Sequence, residues 1–279
     1  MKTRIIIDST ADLAAELKNR LMVVPLTVHF GDEEFVDGVT IDHARFYELL
    51  VERDEIPTTS QATPHDFEKV YARVREAGDE AVVITVASKL SGTYQSAVIA
   101  AEDYPEIHVV DSGTVAIGTG ILVEHIMQLA EQGMDAKALA AEVVRLRDKV
   151  QVIAMVNTLE YLMRGGRLSR TAAVAGTLLN IKPVLAIRSG EIVMLGKARG
   201  SKQGNNLLVK EIEKAGGVDF TKPVLLGYTG LSDVLLQKYV EDSAALWQDH
   251  TDHLQSEIIG SVIGTHAGPG AVAVAFFAP

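Results

Sequence analysis

Chemistry in this chain has few places to start. The segment Ser88-Lys89-Leu90-Ser91-Gly92-Thr93-Tyr94-Gln95-Ser96 sets hydroxyls on both sides of a glycine, after the apolar run 81–87 and before a helical pattern. Hydroxyls and free amide N–H groups then meet at a helix N-terminus, a geometry that binds anions. A second hydroxyl cluster is Pro57-Thr58-Thr59-Ser60-Gln61. A third cluster is basic, Arg164-Gly165-Gly166-Arg167, in which the glycine pair ends a helix and Arg167 can offer its planar fork to a carboxylate or phosphate. Near the C-terminus, Gly264-Thr265-His266-Ala267-Gly268-Pro269-Gly270 reads as a Gly/Pro-rich loop. Turn chemistry explains its glycines but not His266, which can donate to an anion or shuttle a proton. Each feature also has a plainer reading: Ser91 caps a helix, Thr59 or Ser60 stabilises a turn, and Arg167 is a solvated charge. Asp8-Ser9-Thr10-Ala11-Asp12-Leu13, after the first strand, reads as a capping segment whose Asp8 can also brace the hydroxyl loops.

Other chemistries are excluded. The sequence has no Gly-x-Ser-x-Gly elbow and no His-Glu-x-x-His pair. Gly190 and Gly196-Lys197 are one residue too far apart for a phosphate-binding loop, and Ala198 stands where Ser or Thr is needed. With no cysteine and no histidine at ligand spacing from a second ligand, no metal site or cofactor is expected. Lys and Arg number 26 against 37 Asp and Glu, a net charge of -11, so nucleic acid is not an expected partner. An anionic ligand must be held locally, against the global field. The apolar runs 81–87 and 271–278 fall short of the roughly 20 residues of a membrane span. Asp8, Asp12 and Glu16 interrupt any signal-peptide core after the basic start, so a mature cytoplasmic chain is expected.

The elements that must position these residues divide in two. Strands at 4–7, 81–87 and 107–110 alternate with helices, the clearest opened by Thr63 and Pro64 and closed by Gly78. A strand at 22–30 and a return strand at 34–36 form a hairpin excursion, and helices follow from Thr40, at 114–132 and at 136–148. This predicts an α/β domain over 1–150, three layers with a mostly parallel sheet and the excursion near 22–41. Beyond it come a strand at 151–156, helices at 159–163 and 170–179, and a hairpin of 182–187 and 191–195 around Arg188-Ser189-Gly190. A helix at 202–214, a strand at 223–228, a helix at 233–247 and strands at 254–259 and 271–278 complete it. This predicts a two-layer α+β domain with a mixed sheet over 151–279. No linker separates the two, so they should share an interface, a favoured place for ligands.

Read in order, the segments Asp8-Ser9-Thr10-Ala11-Asp12-Leu13, Pro25-Leu26-Thr27-Val28, Thr59-Ser60-Gln61, Ser91-Gly92-Thr93-Tyr94-Gln95-Ser96-Ala97, Gly165-Gly166-Arg167, Leu179-Asn180-Ile181-Lys182-Pro183 and His266-Ala267-Gly268-Pro269-Gly270 resemble the DegV family. The resemblance implies two domains clasping one long-chain fatty acid such as palmitate in an apolar tunnel. It implies a carboxylate held by the hydroxyls of Thr59 and Ser91, with His266 and Arg167 nearby. The candidate ligand-binding set is Thr59, Ser60, Ser91, Gly92, Thr93, Arg167, His266 and Gly268, with no catalytic residue. The implied role is a carrier that presents the carboxylate to the catalytic subunit of a fatty acid kinase, which makes acyl phosphate. The chain departs from the family pattern at Ala267, often Thr, and at Arg164, often Lys. Lys197, Arg199 and Lys202 lie in a basic segment that either faces the kinase or a membrane surface transiently, or is a solvated connection. Two alternatives stay open. One is a hydrolase or transferase acting on a small carboxylate or phosphate, with Ser91 as nucleophile, His266 as base and Asp8 or Asp111 to orient it. The other is a regulatory sensor of acyl ligands.

Overall fold

A computed structural model of the chain describes residues 2–53, 55–168, 180–250 and 254–279. It opens with β1 (Thr3–Asp8), a one-turn helix α1 (Ala15–Lys18) and β2 (Met22–Val24), then departs into an antiparallel hairpin of β3 (Thr27–Phe30) and β4 (Glu33–Val36). Helix α2 (His43–Glu52) leads to β5 (Thr58–Ser60), which pairs antiparallel with β3 and completes a small three-stranded sheet. Alternation resumes with α3 (Pro64–Glu76), β6 (Glu80–Thr85), α4 (Thr93–Ala100), β7 (Ile107–Asp111), α5 (Ile117–Glu131) and α6 (Ala136–Leu146). Strands β2, β1, β6 and β7 lie side by side in that order, all parallel. Their apolar runs are continuous because both faces are covered: Ile6 and Val83 face Phe46, Phe67 and Tyr71, while Ile5, Ile7 and Ile84 face Ile117 and Ile121 of α5. Helix α3 starts where its capping box dictates. The Thr63 hydroxyl accepts from the Asp66 N–H, and the Asp66 carboxylate accepts from the Thr63 N–H.

The second half comprises β8 (Val150–Met155), α7 (Glu160–Arg164), β9 (Ile181–Arg188), β10 (Glu191–Arg199), α8 (Gly200–Lys214), β11 (Leu225–Tyr228), α9 (Val234–Asp242), α10 (Ala244–Trp247), β12 (Ser256–Ile258), α11 (Ser261–Ala267) and β13 (Val272–Phe277). Six strands form one sheet in the order β10-β9-β8-β13-β11-β12, antiparallel except between β11 and β12, so the sheet is mixed. Ser189 and Gly190, at φ 50° and 78°, form the two-residue turn between β9 and β10. Alternation along β13 separates the two faces of the sheet. Val272, Val274 and Phe276 pack with Leu208, Ile212, Leu236 and Tyr239 beneath α8 and α9. Ala273, Ala275 and Phe277 point the other way and join the cluster around α5. Wedged between two sheets, α5 buries Ile117, Ile121, Leu122, Val123, Ile126 and Met127 and turns Glu124, His125, Gln128 and Glu131 outward.

Several expectations needed correction. The strand expected over 22–30 is two strands in two sheets: Pro25, which offers no N–H to a ladder, falls between β2 and β3. Helix α2 is capped by Asp42 rather than begun at Thr40; the Asp42 carboxylate accepts the Arg45 N–H at 2.7 Å. The single helix expected over 233–247 breaks at Ser243, whose hydroxyl donates to the Tyr239 carbonyl at 2.6 Å and accepts the Trp247 indole N–H at 2.9 Å. Residues 58–60 are not loop but β5, and His266 sits not in a loop but in the last turn of α11, which ends at Gly268 with φ 69°. The helix expected over 170–179 lies outside the described residues.

Candidate functional site

A cavity of about 390 Å³ opens where the segments following β1 and β6 meet the α5-facing side of the mixed sheet. This is within the roughly 300–1,000 Å³ common to small-molecule sites. Its floor is the sheet face, where Ala273 stands opposite Ala154 and Ala154 opposite Leu185 across three neighbouring strands, with Val152 and Ile187 one step along. Small side chains in the middle of that row leave room above them. Val115, Ala116 and Ile117, entering α5, form a second wall, and Ile259, Val262 and Ile263 around α11 a third. The walls are apolar except at one group of residues.

That group draws together distant segments. The Thr59 hydroxyl, on β5, lies 3.0 Å from His266 Nε2 on α11. Burial, and secondarily the Arg167 guanidinium, push the His266 imidazole down to about 4, so it is neutral at neutral pH. Its Nδ1 is buried without a partner among the described residues, lodged against Gly165, where a Cβ would come within 2.2 Å of it. The glycine there is a requirement of close approach. Arg167 donates from Nε to the Leu90 carbonyl at 3.0 Å and from Nη1 to the Gly165 carbonyl at 2.7 Å, fastening the α7 turn to the loop that carries Ser91. Ser91 Oγ lies 2.9 Å from Thr93 Oγ1 and accepts the Thr93 N–H at 3.3 Å, one residue ahead of Gly92, from which α4 starts. Beneath this loop, buried Asp8 accepts the Val86 N–H at 2.7 Å and the Thr10 N–H at 3.0 Å, tying the ends of β1 and β6 together. Two hydroxyls, a neutral imidazole and a guanidinium thus face one end of an apolar space. The arrangement suits an anion with an apolar tail.

Of the residues singled out from sequence, Thr59, Ser60, Ser91, Arg167 and His266 border the cavity, and Gly92, Thr93 and Gly268 do not. The Ser60 hydroxyl is engaged with His29 Nε2 at 2.8 Å. Gly92 makes room for Gln61, whose Oε1 would lie 2.1 Å from a Cβ there, and Gly268 makes room for the Tyr161 ring. Thr93 is fully buried behind Ser91. Sequence reasoning passed over Thr10 and Gln61, which also border the cavity although both lay inside segments it quoted. It also passed over the alternating Val272-Ala273-Val274-Ala275, whose small members could have signalled a cavity floor. Lys197, Arg199 and Lys202 are exposed at the join of β10 and α8. Among the described residues, no three His, Asp or Glu side chains are grouped to hold a metal ion, and no helix is long and apolar enough to cross a membrane.

Comparison with known proteins gives a consistent kinship. The model of the DegV family, described as uncharacterised, matches residues 2–279. A DegV domain-containing protein of Caldanaerobacter subterraneus subsp. tengcongensis is 36% identical over 280 residues, 99% of this chain and 98% of that protein. Among solved structures, a fatty-acid-binding DegV family protein from Thermus thermophilus matches with a TM-score of 0.88 and 31% identity over 100% of both chains. The Fatty Acid Kinase (Fak) B3 protein of Streptococcus pneumoniae, loaded with linoleic acid, shares the fold at 24% identity and a TM-score of 0.85 over 100% of both chains. The match over nearly all of its length shows that the chain belongs to the DegV family.

Proposed function

We propose that this protein binds one long-chain fatty acid, its acyl chain in the apolar cavity and its carboxylate among Thr59, Ser91, His266 and Arg167. The observation that carries this reading is an apolar cavity with hydroxyls, imidazole and guanidinium gathered at one end. Burying about 14 methylenes at roughly 0.8 kcal/mol each gives ample affinity before ordering costs. The fatty-acid-binding Thermus thermophilus relative supports it. We further propose that the protein is a cytoplasmic carrier rather than an enzyme, needs no cofactor, and presents the carboxylate to a fatty acid kinase. The name of the Streptococcus pneumoniae neighbour is in keeping with that step.

A hydrolase built on Ser91 and His266 is disfavoured by geometry. His266 Nε2 is engaged by Thr59 rather than Ser91, and among the described residues no carboxylate meets its buried Nδ1. Mass spectrometry of the denatured, purified protein tests the carrier reading: one long-chain fatty acid per chain is expected. A phosphorylated metabolite or a short polar acid in its place would overturn it, as would Ser91-dependent hydrolysis of acyl esters by the protein alone. ATP consumption is expected only when kinase, carrier and fatty acid are combined.

A further inference from the structure

One buried carboxylate takes no part in the reading above. Asp12, between β1 and α1, is 2% exposed, and its Oδ1 accepts the Gly260 N–H at 3.0 Å from a segment 248 positions away. Gly260 is where α11 begins. The carbonyl of the preceding residue, Ile259, accepts the Tyr47 hydroxyl at 2.8 Å. From this pair of tethers run Ile259, Val262, Ile263 and His266, all of which border the cavity. At the other end, the Thr229 hydroxyl donates to the Gly268 carbonyl and accepts the Ala271 N–H, both at 2.7 Å. Seven residues cannot sustain a helix unaided, so the position of α11 is set by its pins. The tyrosine and threonine pins are neutral hydroxyls; Asp12 is the ionisable one. Its own backbone is fixed, because its N–H donates to the Ala116 carbonyl at 3.3 Å and its carbonyl rests on Gly120 of α5, where a Cβ would come within 1.9 Å.

We propose that Asp12 is the positioning residue of α11, and that the hold of the site on an acyl chain follows the ionisation of Asp12. The proposal rests on the fatty-acid reading and adds a control to that same site. A carboxylate makes a hydrogen bond about twice as strong as a neutral acceptor, so, with Asp12 kept buried on its fixed backbone, protonation weakens the Gly260 bond and slackens the helix that carries His266 and one cavity wall; the desolvation cost of the charge is relieved only on unfolding, when Asp12 returns to water.

The surroundings bring that proton within reach. Lys18 of α1 attracts the charged form, while Asp37, between β4 and α2, and Glu257 of β12 repel it. His43, in the first turn of α2, shares with Asp12 the space over the bare Cα of Gly260, where a Cβ would meet His43 Nε2 at 3.1 Å and Asp12 Oδ1 at 3.0 Å. Burial lowers the tendency of His43 to protonate. For Asp12, burial outweighs Lys18 and the Gly260 N–H and holds the carboxyl at about 7, and its Oδ2 has no partner among the described residues. Because the folded value lies above the ordinary 3.8, ionised Asp12 costs the fold stability. The cost is absent below 3.8, grows as pH rises and is complete above about 7.

The test follows release of cis-parinaric acid, a fluorescent long-chain fatty acid, from the full chain between pH 8 and pH 6, where His266, at about 4, is silent. Wild type is expected to release it roughly five-fold faster at pH 6 than at pH 8. Asp12→Asn keeps the acceptor and should show the faster rate at both values, Asp12→Ala should be faster still, and His43→Gln should keep the wild-type profile. A flat wild-type profile, or a slope that survives in Asp12→Asn or vanishes in His43→Gln, would overturn the proposal. Melting supplies a readout without ligand: Asp12→Asn should melt above wild type at pH 8, by a margin that shrinks toward pH 5, and equal melting at pH 8 counts against it. Failure of wild type to take up any probe would instead sink the fatty-acid reading, leaving the melting comparison to decide whether Asp12 ionises in place.

Discussion

The two large sheets serve the cavity in opposite ways. The parallel sheet contributes its ends: beyond β1 and β6 the chain turns out of the ladder, and there Thr10 and Ser91 reach the cavity. The mixed sheet contributes its face, and what reaches the cavity from β8, β9 and β13 is Val, Ala, Leu and Ile. The difference follows from hydrogen bonding. A strand end leaves N–H and C=O groups without ladder partners, so polar side chains and helix starts gather there, as Asp8 does on the N–H groups of Thr10 and Val86. A sheet face has its backbone already satisfied and can be wholly apolar. Setting one sheet's ends against another's face gives a space that is polar at one end and apolar along the rest.

The polar end should show the larger effect. If Thr59 and Ser91 donate to a buried carboxylate, Thr59→Ala and Ser91→Ala each remove a charge-assisted hydrogen bond of about 1.5–3 kcal/mol, roughly ten- to hundred-fold in affinity. Melting should change far less. Titration with a defined fatty acid, alongside thermal melts, measures both; unchanged affinity in both variants would reduce these hydroxyls to local turn stabilisers. A smaller effect is expected on the face. Ala273→Val adds bulk at the middle of the floor in a strand that accepts a β-branched residue. It should cost the longest acyl chains the burial of about one methylene, roughly four-fold in affinity, and shorter chains nothing. An equal loss for all lengths would mean that the floor does not gauge the chain.

Much of this was legible in the sequence wherever local chemistry decides structure. The apolar runs of β1 and β6 and the Thr63-Pro64 start of α3 needed no tertiary knowledge. Helix α11 was not legible: Val262, Ile263, Gly264 and Thr265 are weak helix formers, and Asp12, Tyr47 and Thr229 hold the segment from distant parts of the chain. Residue type pointed to Thr59 and His266 separately. Their contact, across 207 positions, depends on where β5 and α11 come to rest. The floor is less legible still, because Ala154 and Ala273 become neighbours only once β13 inserts beside β8.

The junction between ends and face offers the smallest effect, and it decides what holds the two together. The tip of the β9–β10 hairpin touches the Ser91 loop: a Cβ on Gly190 would lie 3.4 Å from the Ala87 side chain. Beside it, Lys89 Nζ meets Glu191 Oε1 at 3.0 Å, but the two side chains are 51% and 62% exposed. Such a pair contributes about 0.2–1 kcal/mol and weakens with salt. The Arg167 bond to the Leu90 carbonyl crosses the same junction half-buried, where screening reaches it less. Glu191→Gln should therefore change fatty-acid affinity by about two-fold at low salt and leave it unaltered near about 0.5 M. A larger loss that persists in salt would mean that the hairpin tip, not the half-buried Arg167 contact, keeps the strand ends closed over the sheet face.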